Sequence, residues 1–502
     1  MKRSSRLLLL SAIVLVAVAV IVIIVLLLHP KHHHAVNSRQ DIVGAVIGVQ
    51  LGTTGDTRAS AFEGRKGTRI ERYTKAADAV QALTQGKIDC VIEDEEPAQA
   101  FILRNSNLRI LPQEFSREQY ALCIARGNTD LQTKVNTAIS YLRHTGLLDS
   151  IRNRHVHEHL PVAYQRKNVA RPNGTLTVAT NATYPPYEYY DNGIIVGIDI
   201  DLMQAIADEL GMTLDVQDMN FDAVITSVQT GKADIGASAL TVTPERSRNI
   251  FFTSTYAACR QVIIVRDGAI AASHQSLADK FRSNFITGGR YFYLLQGLGN
   301  TLLITLFAII LSLALGSLIA IVRTTHDKTG GLVILNWLCR IYLTIIRGTP
   351  TMVQLLIIYY VVFAAADVSK VFVAIIAFGI NSAAYLAEVV RSGIMSVDGG
   401  QMEAGRSLGL SYAQTMRLVI LPQAFKNVLP AIGNELITLL KETSISGYIG
   451  LVDLTKGSDI IRSITYDAMM PLGTVALIYL AIVMALSYGV NKLEKRLAEN
   501  ER

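Results

Sequence analysis

Hydrophobic and polar positions divide the chain into three stretches. Residues 7 to 28, Leu7 through Leu28, carry no charge and a single hydroxyl, Ser11. A helix of that length measures about 33 Å, enough to cross a hydrocarbon core of roughly 30 Å. Lys2, Arg3 and Arg6 precede the run, so the positive-inside rule keeps the N-terminus cytoplasmic and sends residue 29 outward. The run exceeds the usual apolar core of a signal peptide and no clear Ala-x-Ala site follows it. Residues 1–35 therefore read as an uncleaved transmembrane anchor.

From about residue 43 to 268 hydropathy falls, and short β-rich runs alternate with amphipathic helical ones. Ala45–Gln50, Asp89–Ile92, Thr175–Thr180 and Ala233–Ala237 read as strands; Ala76–Thr84, Glu96–Leu103 and Asp199–Leu210 read as helices. Such alternation predicts α/β sheets, which bind ligands beyond the carboxyl ends of their strands. After about residue 298 the chain is strongly apolar again. Leu302–Val322, Thr351–Ala366, Val371–Ala387, a region near 428–440 and Leu472–Val490 read as five spans of an all-α membrane domain over 291–496. Leu332–Ile346, interrupted by Asn336, Trp337 and Arg340, reads as an interfacial helix. Arg323, His326 and Lys328 after the first span, and Lys492, Lys495 and Arg496 after the last, put both chain ends in the cytoplasm.

Composition sharpens this picture. Charged residues are 18% and hydrophobic ones 50%, with mean hydropathy +0.32, which excludes global disorder and an ordinary soluble enzyme. The net charge of +6 does not predict a nucleic-acid partner, because many of the basic residues flank apolar runs. Cys90, Cys123, Cys259 and Cys339 are too scattered for a disulfide framework or a zinc site, and neither a metal nor another cofactor is expected.

Three strings in the polar region resemble the first lobe of periplasmic-type binding proteins for polar amino acids, which close two α/β lobes around one ligand. They are Thr177-Val-Ala-Thr-Asn-Ala-Thr-Tyr184-Pro-Pro-Tyr187-Glu, Val196-Gly-Ile-Asp-Ile-Asp201-Leu and Ala239-Leu-Thr241-Val-Thr-Pro-Glu-Arg246. Val49-Gln-Leu-Gly52-Thr53-Thr54-Gly55, Val80-Gln-Ala-Leu through Asp89, and Ile92-Glu93-Asp94 resemble the second lobe, and Leu131 to Val156 the C-terminal helices. The usual order is reversed: second lobe and C-terminal return at 43–156, first lobe at 174–268, joined by a Pro-containing, charged linker at 157–173. A second linker at 269–290 leads to the membrane domain. The order reads as a circularly permuted domain, ahead of two truncated domains or lobes exchanged between protomers.

The resemblance implies a ligand site. Arg246, a planar fork, would take the ligand carboxylate, helped by the Thr241 hydroxyl, Ser238 and the backbone around Thr53 and Thr54. Asp94 would take the α-ammonium, and Tyr184 and Phe221 would pack on the side chain. Asn181 stands where binders of basic amino acids and glutamine in this family often carry Asp, a loss for which Glu93 could substitute.

A polar stretch between the third and fourth spans contains Glu403-Ala404-Gly405, then Gly409, then Val419-Ile-Leu421-Pro422. It resembles the EAA loop of ATP-binding-cassette (ABC) importer permeases of the MetI-like type, which couples the spans to a cytoplasmic ATPase dimer. Arg347-Gly-Thr-Pro350 and Asn300-Thr-Leu-Leu resemble the amino-acid subfamily. Glu388 and Glu435, within or beside apolar spans, are candidates for the translocation path, although Glu388 could simply pair with Arg391. No phosphate-binding Gly-x-x-x-x-Gly-Lys-Ser/Thr string occurs, so ATP hydrolysis falls to a separate subunit and the chain is not itself an enzyme.

These resemblances imply an amino-acid importer subunit of a bacterial plasma membrane, multi-pass, with its binding domain outside the cell. It would sit in lipid and pair as a homodimer or with a second permease. The competing class is a ligand-gated channel or sensory receptor using the same two-lobed domain, which expects a selectivity filter or a signalling domain.

Overall fold

The computed structural model of the protein describes residues 34–267, 276–364, 368–465 and 467–499. The expected anchor, apart from its last two residues, lies outside them.

Two large sheets and a small antiparallel one, of Thr183–Tyr184, Glu188–Asp191 and Ile194–Val196, form the polar half. In the first, Val46–Gln50 runs parallel to Arg69–Tyr73 and to Cys90–Asp94, and Ala257–Arg266 pairs antiparallel with Cys90–Asp94. The far side of Ala257–Arg266 carries Leu108–Ile110 and Ser116–Tyr120. The second sheet has the order Thr213–Asp218, Thr175–Thr180, Ile235–Gly236, Cys123–Ala125, Ile250–Phe252. The central strands are buried on both faces because helices cover both sides, with polar residues only at their carboxyl ends.

The chain crosses between the sheets twice, at 121–122 and at 253–256. The crossings are bonded together: Thr253 N–H donates to Leu122 O (2.9 Å) and Tyr256 N–H to Tyr120 O (2.9 Å). Ala257–Arg266, expected within the first lobe, thus belongs to the second lobe's sheet. Its buried Val262, Ile263 and Ile264 fill the space between Cys90–Asp94 and Leu108–Ile110. Helices Thr129–His144 and Leu147–Val156 return to the first lobe and pack on Ile198–Leu210 through Val135, Ile139, Leu142 and Ile151.

Residues 157–173 join the last of these helices to strand Thr175–Thr180 and are tied to helix Ile198–Leu210. Asp201 accepts from the Tyr164 N–H (2.9 Å) and His155 Nε2 lies 2.8 Å from it; Asp208 accepts from the Tyr164 hydroxyl (2.9 Å) and the Lys167 N–H (2.7 Å) and pairs with Arg171. What the composition marks as a linker is a strap held by two buried carboxylates.

In the membrane half, Tyr291–Thr329, Lys370–Met395 and Met469–Leu497 are long and apolar enough to span. Val333–Gly348 and Thr351–Val362 form a pair bent by 110°, a fourth span if taken together. The helix expected at the interface is therefore one arm of this pair, and the span expected at Thr351–Ala366 is the other arm. The second arm alone, at about 1.5 Å per residue, is too short to cross. The fourth expected span, near 428–440, lies in Leu421–Glu442, whose Lys426, Glu435, Lys441 and Glu442 dilute its apolar character. It packs between Lys370–Met395 and the last helix. Small residues bring Tyr291–Thr329 and Lys370–Met395 together, with the Ser312 hydroxyl donating to Gly379 O at 3.0 Å.

The two halves meet at helix Leu454–Thr465, which touches both lobes. Lys456 pairs with Asp218 of the first lobe at 2.8 Å, both side chains almost fully buried. Lys75 of the second lobe pairs with Asp459 at 3.2 Å, and Asp78 pairs with Arg462. The turn before this helix approaches so closely that a Cβ on Gly450, at φ +70°, would sit 1.9 Å from Asp218 O. Only glycine fits there.

Candidate functional site

The cleft between the lobes holds residues from both parts of the sequence: Thr53, Thr54, Glu93 and Asp94 from one side, Asn181, Tyr184, Phe221, Ser238, Thr241 and Arg246 from the other. The space between them, open solvent at its mouth included, is about 430 Å³. Every residue expected at the ligand site therefore lines one cavity within one molecule.

Arg246 follows the turn capped by Thr243, whose hydroxyl accepts the Arg246 N–H at 3.2 Å. Its guanidinium donates to Thr241 O on its own lobe (2.9 Å) and to Gly52 O across the cleft (2.9 Å), and lies over the Phe221 ring at 5.5 Å. Burial draws its pKa below the ordinary arginine value. Opposite, Asp94 ends strand Cys90–Asp94 and begins helix Glu95–Arg104. One carboxylate oxygen accepts from the Tyr120 and Tyr184 hydroxyls; the other, Oδ1, is buried without a hydrogen-bond partner among the described residues. A buried carboxylate oxygen left bare is costly unless a ligand completes it.

Some expected roles are already occupied inside the protein. The Thr53 hydroxyl caps helix Thr54–Ser60 through the Asp56 N–H (3.2 Å), and Thr54 Oγ1 accepts from Gln261 (3.2 Å). Ser238 donates to Glu188 at 2.7 Å and accepts the Asn181 N–H at 3.3 Å. The Asn181 amide is held by Met219 O (2.8 Å), Thr183 (2.9 Å) and Gln50 (3.3 Å), so it shapes the floor of the cleft. Tyr184 bonds to acids through its hydroxyl rather than only offering its ring.

Gln50, Tyr120, Glu188 and Gln261 were not legible as site residues. Gln50 and Glu188 stood inside the matched strings, but nothing marked them off from neighbours. Gln261 and Tyr120 are brought in by the two crossings.

Burial, then the charge of Asp94, pushes the Glu93 carboxyl above the ordinary range; burial likewise raises Asp94 against the pull of Tyr120, Gln261 and Tyr184. The folded, ligand-free protein then holds these protons at pH values where the unfolded chain has released them. Its stability is expected to fall as pH rises above the ordinary carboxylate range, by linkage. Thermal unfolding from pH 5 to pH 8 should show this decline, flattened in Glu93→Gln; an unchanged slope would contradict it.

On the permease side, Glu403 and Ala404 lie exposed on helix Gly399–Ser407, and Gly409 closes it at φ +84°. Where the resembled loop has a second alanine, a Cβ on Gly405 would meet Thr415 Cγ2 at 2.4 Å, which accounts for the departure. Leu421 and Pro422 start the next long helix. Glu388 is clamped by Arg323 and by Arg391 (3.1 Å). Glu435, half-buried, accepts from the Ser382 hydroxyl at 2.8 Å.

Residues 176–460 match the bacterial extracellular solute-binding proteins, family 3. The chain belongs to that family. This family-3 protein is also homologous to amino-acid permeases over about two fifths of its length. It is 36% identical over 211 residues to the arginine transport system permease protein ArtQ of Bacillus subtilis (strain 168), covering 42% of this chain and 94% of that relative. It is 36% identical over 210 residues to the putative glutamine transport system permease protein GlnP of Rickettsia typhi (strain ATCC VR-144 / Wilmington), covering 41% and 94%. A crystal structure of an amino acid ABC transporter with histidines is 39% identical, with TM-score 0.39, over 42% of this chain and 98% of that one. The family-3 protein is a fused binding and permease subunit of an amino-acid ABC importer, a membrane protein carrying its own solute-binding domain. The channel or receptor reading is not favoured.

Proposed function

We propose that the cleft captures one polar amino acid outside the cell and delivers it to the chain's own spans. Arg246 takes the carboxylate, exchanging its bond to Gly52 O for the ligand, and Asp94 takes the ammonium through its bare oxygen. The observation that carries this reading is the pairing of a buried, incompletely bonded Asp94 with Arg246 in one cavity. Phe221 and Tyr184 flank the ligand, while Ser238, Asn181 and Thr53 hold the walls. Glu435 is the candidate carboxylate of the translocation path; the arginine clamp on Glu388 favours a structural role there instead.

ATP is hydrolysed by a cytoplasmic ABC ATPase dimer docked on the coupling loop, where Leu408 offers an apolar knob with 84% of its surface exposed. Two copies of the chain, or this chain and a second permease, form the pore in the bacterial plasma membrane, with both termini cytoplasmic. Two binding domains then raise local capture. The test is copurification of the full chain with an ATPase whose hydrolysis rises when amino acids are added. Hydrolysis indifferent to all twenty would contradict it.

A further inference from the structure

We propose that the cleft selects an amino acid with a cationic side chain, and that Glu93 makes the selection. The inference rests on the ligand-site reading above. Three carboxylates in the cleft, Glu93, Asp94 and Glu188, face one guanidinium, Arg246. The other arginines near these acids are committed elsewhere: Arg260 to Glu95, Arg152 to Glu96 and Arg58 to Glu118.

A zwitterion brings one charge of each sign. Its carboxylate satisfies Arg246 and its ammonium satisfies Asp94, which leaves two acids over. Glu188 is fully buried at the floor of the cleft, with Oε1 bonded to Ser238 and Oε2 closed off from solvent. Glu93 lies at the end of its strand on the cleft wall. Its two hydrogen bonds among the described residues, from Tyr184 (2.6 Å) and the Asp94 N–H (2.9 Å), both fall on Oε1. Oε2 is left for the ligand.

Adjacent carboxylates buried without a cation are costly, and a second positive charge from the ligand removes that cost. A neutral amide side chain would supply only a donor, and an acidic one would be repelled. The Phe221 and Tyr184 rings give the methylene stem of a long basic side chain apolar walls. Glu93 thus does the work expected of an acid at the Asn181 position, from the opposite lobe.

The test uses the full chain in lipid nanodiscs and calorimetry with arginine, citrulline (the same shape without the charge) and glutamine. The wild type is expected to bind arginine about 10- to 100-fold tighter than citrulline, the range for a hydrogen bond between charged groups. Glu93→Gln should erase most of that ratio and Glu93→Asp should keep its direction, with thermal unfolding reporting that both variants fold. A wild type that prefers citrulline or glutamine, binds none of the three, or keeps its ratio in Glu93→Gln overturns the proposal. Citrulline binding that depends on Arg246 while arginine is ignored would remove the cation inference alone. Arginine binding that survives Arg246→Ala would remove the site reading beneath it.

Discussion

Replacing Arg246 with alanine is expected to abolish amino-acid binding. Among the described residues lining the cleft the guanidinium is the one cationic group, and it also ties the lobes through Thr241 O and Gly52 O. Each hydrogen bond to a charged group contributes about 1.5–3 kcal/mol, so losing two parallel bonds weakens binding by roughly two to four powers of ten. Lysine should restore little, because a point charge cannot donate the paired bonds or stack on Phe221. Calorimetry on the full chain checks this; affinity within tenfold of wild type would remove Arg246 from the site.

Lys456→Ala is expected to separate capture from transport. Lys456 and Asp218 are buried against each other where the first lobe rests on helix Leu454–Thr465. Removing one member strands the other, which typically costs about 3–5 kcal/mol. The second lobe is held to the same helix by Lys75 and Asp78, so the helix feels both lobes. The variant should bind ligand close to normally but lose most ligand-stimulated ATP hydrolysis and uptake. Lys456→Met, which keeps the packing without the charge, should be equally uncoupled. Normal stimulation in both would mean that docking does not run through this contact.

Much of the local structure was legible because it is written in short-range pattern. Helix Ala76–Thr84 and strand Val46–Gln50 fall where apolar spacing puts them. The assignment of Ala257–Arg266 was not legible, since an apolar strand carries no mark of which of two sheets will pair with it. Glu93, Asp94, Glu95 and Glu96 stand in a row, a run that by sequence alone suits a solvated face. Arg260 and Arg152, distant in sequence, neutralise Glu95 and Glu96, and that lets Glu93 and Asp94 turn into the cleft. The docking contacts were hidden for the same reason: Asp78 and Arg462 are 384 residues apart, and each alone reads as a surface charge. Glu435 was legible as an anomaly because a carboxylate in an apolar helix asks for a reason.

The central claim is that two sequence halves in reversed order close one site within a single chain. Coexpressing Arg246→Ala and Asp94→Ala chains, each tagged differently, and purifying assemblies that contain both tests it directly. If each cleft is built within one chain, both clefts of the mixed assembly are defective and no amino acid binds. Recovery of about half the wild-type binding capacity would show that the lobes are exchanged between protomers, contrary to the account.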